Sequence, residues 1–162
     1  MPVDPTDPDQ PLYGAAPLIS FARFWRRYVV FSGRASLAEY WWAVLLNAIA
    51  GIVLGVVGGI LLAIGGALAQ QGSPVAAIPN ALGAILLLAL LVLALAQIVP
   101  SIAISVRRLH DANLTGWLQA IVVVPVLGWI AVLVIMCLPS SPKGTRFDGG
   151  RTLYAGGPRG QD

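Results

Sequence analysis

From Tyr40 to Val106 the chain runs for 67 residues without a charged side chain, and from Ala112 to Pro142 for another 31. Only Arg107-Arg108-Leu109-His110-Asp111 separates the two runs. A soluble domain carries about 25% charged residues, whereas this chain has 10%, with 57% hydrophobic. About 20 apolar residues cross the roughly 30 Å hydrocarbon core of a bilayer as a helix, so runs of this length hold three spans. The pattern predicts an all-α integral membrane protein with three apolar transmembrane segments. A short amphipathic interfacial helix precedes them, and both termini are disordered.

The remaining charges bound the function. The net charge is +3, but the basic residues sit at the ends of apolar runs, where cations meet anionic lipid headgroups. No basic face exists apart from that boundary, so nucleic acid is not an expected partner. Cys137 is the lone cysteine and His110 the lone histidine. They offer no disulfide and no metal set, and no cofactor is expected. The N-terminus is acidic and its first long apolar run begins near Trp41, so a cleavable signal is not expected.

Residues 1–17, rich in proline and aspartate, read as a disordered leader. In 18–31, Arg23, Arg26 and Arg27 fall on one arc opposite Phe21, Phe24, Trp25 and Tyr28. That places a helix flat in the headgroup region with its cations outward, or else a basic flank of the first span. Ser36-Leu-Ala-Glu39 fits a capping box, so the first span runs from about 37 to 64. Asn47, Gly51, Gly55, Gly59 and Ala63 recur every four residues along it, a small-residue face for another helix of this chain or of a second copy. A second span covers about 81–105, kinked by Pro100. A third covers 117–138, and 143–162 form a disordered glycine-rich tail.

The positive-inside rule puts the N-terminus in the cytoplasm, since Arg23, Arg26, Arg27, Arg34, Arg107 and Arg108 flank one side of the first two spans. The length of 117–138 favours a single crossing. A re-entrant hairpin turning at 125–128 would instead gather all ten basic residues on one side.

On this topology Arg34 and Glu39 meet Arg107, Arg108, His110 and Asp111 at one membrane face. Arg107 lies four residues before Asp111, and Glu39 is placed to pair with Arg108. Such residues anchor helix ends, or bind a phosphate-bearing headgroup or the acidic segment of a partner membrane protein. His110 and Asp111 are adjacent, so they diverge on a helix and form no catalytic pair. The spans carry few polar groups, which argues against ion-coupled transport by one copy.

Phe31-Ser-Gly-Arg-Ala-Ser-Leu-Ala-Glu-Tyr-Trp-Trp42, with Arg107-Arg-Leu-His-Asp-Ala-Asn-Leu-Thr-Gly-Trp117 and Pro125-Val-Leu-Gly-Trp-Ile130, resembles the bacterial YhaH-like inner-membrane family, domain of unknown function 805. The resemblance covers roughly residues 21–149. The chain departs from the family's pattern at Leu37 and Ala38, at Leu118 and over 145–149. The resemblance implies a small bacterial plasma (inner) membrane protein with no established activity. The expectation is thus a non-enzymatic multi-pass protein that contacts anionic lipid, with a partner membrane protein or a homo-oligomer possible. The alternative is a subunit of an oligomeric transporter or channel.

Overall fold

The computed structural model describes residues 11–148, and among them every regular element is helical. The elements are α1 (Pro17–Arg26), α2 (Leu37–Gln70), α3 (Ala77–Ala96), α4 (Ile98–Asp111) and α5 (Leu127–Met136). Three 3₁₀ helices (Pro74–Ala76, Gly116–Val123 and Pro142–Phe147) accompany them. The chain divides into two compact units, Val44–Ile98 and the residues on either side of it. The disorder expected for 1–10 and 149–162 lies outside the described residues.

Two helical stretches are long and apolar enough to cross a membrane, Leu37–Gln70 and Pro74–Asp111, with 34 and 38 residues. At about 1.5 Å per residue each exceeds a ~30 Å hydrocarbon core. Their apolar side chains face outward, as Ile52, Ile85 and Leu88 do at 60% exposure or more. That arrangement is unfavourable in water and matches lipid. Helix is interrupted at Gln97, three residues before Pro100. The proline has no N–H for the Ala96 carbonyl, and its ring crowds that group.

Within Val44–Ile98, α2 and α3 approach through glycine. A Cβ on Gly83 would lie 2.8 Å from the Gly58 carbonyl oxygen, and one on Gly58 would lie 3.1 Å from Leu87. Gly65 abuts Asn80, while Gly51 and Gly55 meet Leu90 at ordinary distances. The packed stripe is therefore 51, 55, 58, 62, 65. Gly59 has nothing within 4 Å and Ala63 is exposed, while Asn47 is buried. A strict four-residue repeat advances about 400°, so it drifts about 40° per step off any straight face, whereas alternating steps of four and three stay in line. We expect Gly83→Leu to lower stability by about 3 kcal/mol through overpacking. Gly59→Leu should leave the melting temperature of detergent-purified protein unchanged.

In the other unit, Pro17 opens α1 at a position where its missing N–H costs nothing. Phe24, Ala35, Ala43 and Ile104 form a buried cluster, with Trp25 and Tyr40 against it. The helix expected over 18–31 ends at Arg26, and its cationic face is divided between the interior and the surface. Arg23 and Arg27 are buried and Arg26 is exposed, while Leu18 points outward at 77% exposure. Burying two arginines requires compensating anions, and Glu39 supplies one of these charges. Residues expected to be loose are also engaged. Ala15 is buried, Ser36 Oγ donates to the Leu12 carbonyl at 2.6 Å, and Asp148 is buried against Arg34.

The third apolar segment is not one helix. The 3₁₀ helix Gly116–Val123 and α5 pack on each other around a turn at 124–126. Val126 there has φ +63°, ψ −66°, and Leu127 N donates to Pro125 O at 2.7 Å. This is the rare positive-φ γ-turn. Gly128 sits against the Ile121 carbonyl with no room for a Cβ, and Trp129 Nε1 donates to Val122 O at 3.1 Å. Pro125 has no N–H, and Val124, Gly128 and Ile130 donate to Ile121, Val124 and Val126 carbonyls. The turn thus satisfies these three amides internally, as a hairpin in lipid requires of each of its backbone groups. The hairpin then returns the chain to its origin: Ser141 N donates to Asp111 O at 2.8 Å.

Candidate functional site

Two buried carboxylates organise the polar residues of the unit that holds both termini. Glu39 follows Ser36, whose Oγ accepts from the Glu39 amide at 3.1 Å and so caps α2. The Glu39 carboxylate points away from the cap. It accepts from Arg23 Nε at 3.1 Å and from Leu12 N at 3.5 Å, and lies 3.8 Å from Arg107 Nη1. Arg107 is fully buried, with Nε on the Ala103 carbonyl at 3.3 Å. Its two terminal nitrogens have no hydrogen-bond partner, and Arg23 and Arg27 stand close enough to repel it.

Asp111 anchors the second group. It receives Arg108 Nη1, Tyr13 OH at 3.0 Å and Ser140 Oγ, with Arg34 Nη1 at 3.9 Å. Arg108 also donates to the Met136 and Leu138 carbonyls that end the hairpin. Arg34 in turn grips Asp148 with a fork, Nε to Oδ1 at 2.8 Å and Nη2 to Oδ2 at 2.6 Å. Burial disfavours the Arg34 cation, yet the hydrogen bonds and charge of Asp148 outweigh it and raise its pKa above the ordinary value. Burial, then the Asp111 charge and hydrogen bond, also holds the Tyr13 phenol above its usual range. Five stretches of chain therefore converge on Asp111 and Asp148: the arm at Tyr13, the loop at Arg34, the end of α4, the exit of the hairpin and the last 3₁₀ helix.

The partners are exchanged relative to the sequence expectation. Arg108 pairs with Asp111 and Arg107 faces Glu39. Helical spacing allows both i,i+3 and i,i+4 pairs, and the residues are 100° apart, so surrounding segments decide which faces which. His110 and Asp111 diverge as adjacent helical residues must. His110 Nδ1 donates to the Gly33 carbonyl at 3.1 Å, and the ring stacks on Phe147 with centroids 4.1 Å apart. The Arg146 guanidinium lies 4.6 Å from the Phe147 ring centroid. Sequence reasoning missed Arg23 and Arg27 as inward groups, although Ser20, Arg23 and Arg27 share one helical face. It also missed Tyr13, Ser140 and Asp148, for which no local pattern gives a signal.

The distribution of charge is one-sided. Among the described residues the acids are Glu39, Asp111 and Asp148, and all three are buried. The exposed charges there, Arg26, Lys143 and Arg146, are all cations.

Comparison with known proteins gives the following. The profile described as a protein of unknown function (DUF805) matches residues 28–149. The inner membrane protein YhaI of Escherichia coli (strain K12) is 31% identical over 122 residues, 75% of this chain and 86% of that protein. The inner membrane protein YhaH of the same strain is 28% identical over 122 residues, 75% of this chain and 87% of its own length. No solved structure matches.

Proposed function

Because the chain belongs to the DUF805 family, and the relatives above are inner membrane proteins, we propose that it is a non-enzymatic multi-pass protein of the bacterial plasma membrane. Its buried Arg/Glu/Asp network serves as a clamp, and its exposed cations dock that clamp on anionic headgroups. The single observation that carries this reading is the sorting of charge. Every acid among the described residues is buried, so the exposed charges there are purely basic. Each cation near an anionic bilayer surface contributes about 1 kcal/mol. Arg34 and Arg108, candidates for headgroup contact by sequence, spend their forks on Asp148, Asp111 and carbonyls. Arg26, Lys143 and Arg146 take over the headgroup role, and Arg34, Glu39, Arg107, Arg108 and Asp111 the structural one.

The topology that accompanies this reading has two full crossings, a cytoplasmic N-terminus and a hairpin that enters and leaves on the same face. Its support is the return of the chain to Asp111 at Ser141, together with a positive-inside count of ten basic residues against none.

The test is native mass spectrometry of the gently solubilised protein. We expect phosphatidylglycerol and cardiolipin to co-purify with wild type. An Arg26→Gln/Lys143→Gln/Arg146→Gln variant should lose them while keeping its melting temperature. Retention of anionic lipid by that variant would refute the docking role. A proteinaceous partner lost in its place would favour the partner-membrane-protein reading.

A further inference from the structure

A cavity of about 680 Å³ opens beside His110. Its size lies within the range of about 300–1,000 Å³ that holds small ligands. Phe31, Ile102, Val106 and Trp117 give it an apolar wall. The 3₁₀ helix Gly116–Val123 closes one side, and Gly116 is what allows this approach, since a Cβ there would lie 2.7 Å from Val106. Trp117 lines the cavity and is still 86% exposed, so it stands at the mouth. Tryptophan settles at headgroup level in a bilayer, which puts the mouth where lipid phosphates lie. The polar residues of the lining are His110, Thr115 and Gln119, none of them acidic.

A cation is tethered to this lining from two sides. Arg146 Nη2 donates to the Asn113 carbonyl at 3.2 Å, two residues before Thr115. Its guanidinium also lies 4.6 Å from the centroid of Phe147, whose ring stacks on His110 at 4.1 Å. Two residues of chain span at most about 7 Å, so the charge stands within roughly 10 Å of the lining, comparable to a Debye length. Arg146 is exposed, and the described acids are paired elsewhere: Glu39 with Arg23 and Arg107, Asp111 with Arg108, Asp148 with Arg34. An anion at the mouth therefore meets an exposed cation and, among the described residues, no unpaired acid. The Thr115 hydroxyl and the Gln119 amide nitrogen are donors suited to phosphate and ester oxygens, and the wall behind them suits an acyl chain. We propose that this cavity is a discrete site for an anionic phospholipid, with an acyl chain against the apolar wall and the phosphate at Arg146. Such a site presupposes the docking role proposed above for the exposed cations and confines it to one lipid at one place.

The experiment uses the full chain in phosphatidylcholine nanodiscs. Two trace probes carry the same diazirine-tagged acyl chain, one as phosphatidylglycerol and one as phosphatidylcholine, so they differ only in the head. Crosslinks in residues 102–122 are measured relative to those in α3, which report bulk lipid. For wild type we expect phosphatidylglycerol to label 102–122 about fivefold more than phosphatidylcholine, the effect of one cation near an anionic headgroup. Arg146→Gln should keep its melting temperature and lose the preference, whereas Arg26→Gln should keep both. Ala120→Trp fills the cavity from its lining and should bring both probes down to the bulk level. Equal labelling of 102–122 by the two probes would overturn the site. So would a preference that survives Arg146→Gln, or labelling above bulk that survives Ala120→Trp. Equal labelling together with loss of anionic lipid from the triple variant above would remove only the discrete site and leave the docking role standing. Retention of anionic lipid by the triple variant would remove both.

Discussion

Asp111→Ala should abolish accumulation of folded protein in the membrane fraction. The carboxylate is fully buried and takes hydrogen bonds from Arg108, Tyr13 and Ser140, with Arg34 at 3.9 Å. Truncating it leaves Arg108 buried beside Met136 without its counter-charge, an arrangement that costs about 3–5 kcal/mol. The Tyr13 and Ser140 hydroxyls lose their acceptor as well, each worth about 1 kcal/mol. The sum reaches the lower part of the ~5–15 kcal/mol that holds a whole domain together. A double variant, Asp111→Ala/Arg108→Met, removes both charges together and should recover part of the loss, as coupled neighbours do. Membrane abundance and the melting temperature of the purified protein measure both effects. An Asp111→Ala protein with wild-type stability would show that the network is decoration rather than a clamp.

Sequence and structure agree where one residue type in one position settles the outcome. The two long charge-free helices, the Ser36 cap and the interruption before Pro100 are of that kind, because lipid length, an unmatched amide and a missing N–H act locally. The pairing of charges is of another kind. Arg107 and Arg108 are neighbours with equal local options, and only the arrival of Arg23, Leu12 and the hairpin exit fixes which carboxylate each one meets. The same holds for Tyr13 and Asp148. Each lies in a stretch whose composition reads as loose, and each is ordered by one long-range contact. The glycine stripe falls between the two kinds. Gly51 and Gly55 were legible from spacing, but the drift of a four-residue repeat hid Gly58 and Gly65, which lie closest to α3.

The third apolar segment is where the expectation from length and the structure differ, and Gly128→Val exposes the difference. If 117–138 crossed the bilayer as a single helix, position 128 would sit in lipid, and valine would be at least as acceptable there as glycine. In the hairpin a Cβ at 128 would overlap the Ile121 carbonyl oxygen and stand 2.8 Å from the carbonyl carbon, both backbone atoms that cannot rotate away. The turn has little room to yield, since Val126 already holds a positive φ. We therefore expect Gly128→Val to force the 3₁₀ helix and α5 apart and to cost about 3 kcal/mol or more. The damage reaches the ion network, because Arg108 uses the carbonyls of Met136 and Leu138 at the hairpin's end. A topology readout separates this from simple instability. In a Cys137→Ser background, Lys143→Cys should resist an impermeant maleimide in intact spheroplasts and react in inverted vesicles, on the same side as a cysteine placed at Arg26. Labelling of Lys143→Cys from outside, with Gly128→Val well tolerated, would mean that the segment crosses. The contact between Ser141 and Asp111 would then not exist in the membrane.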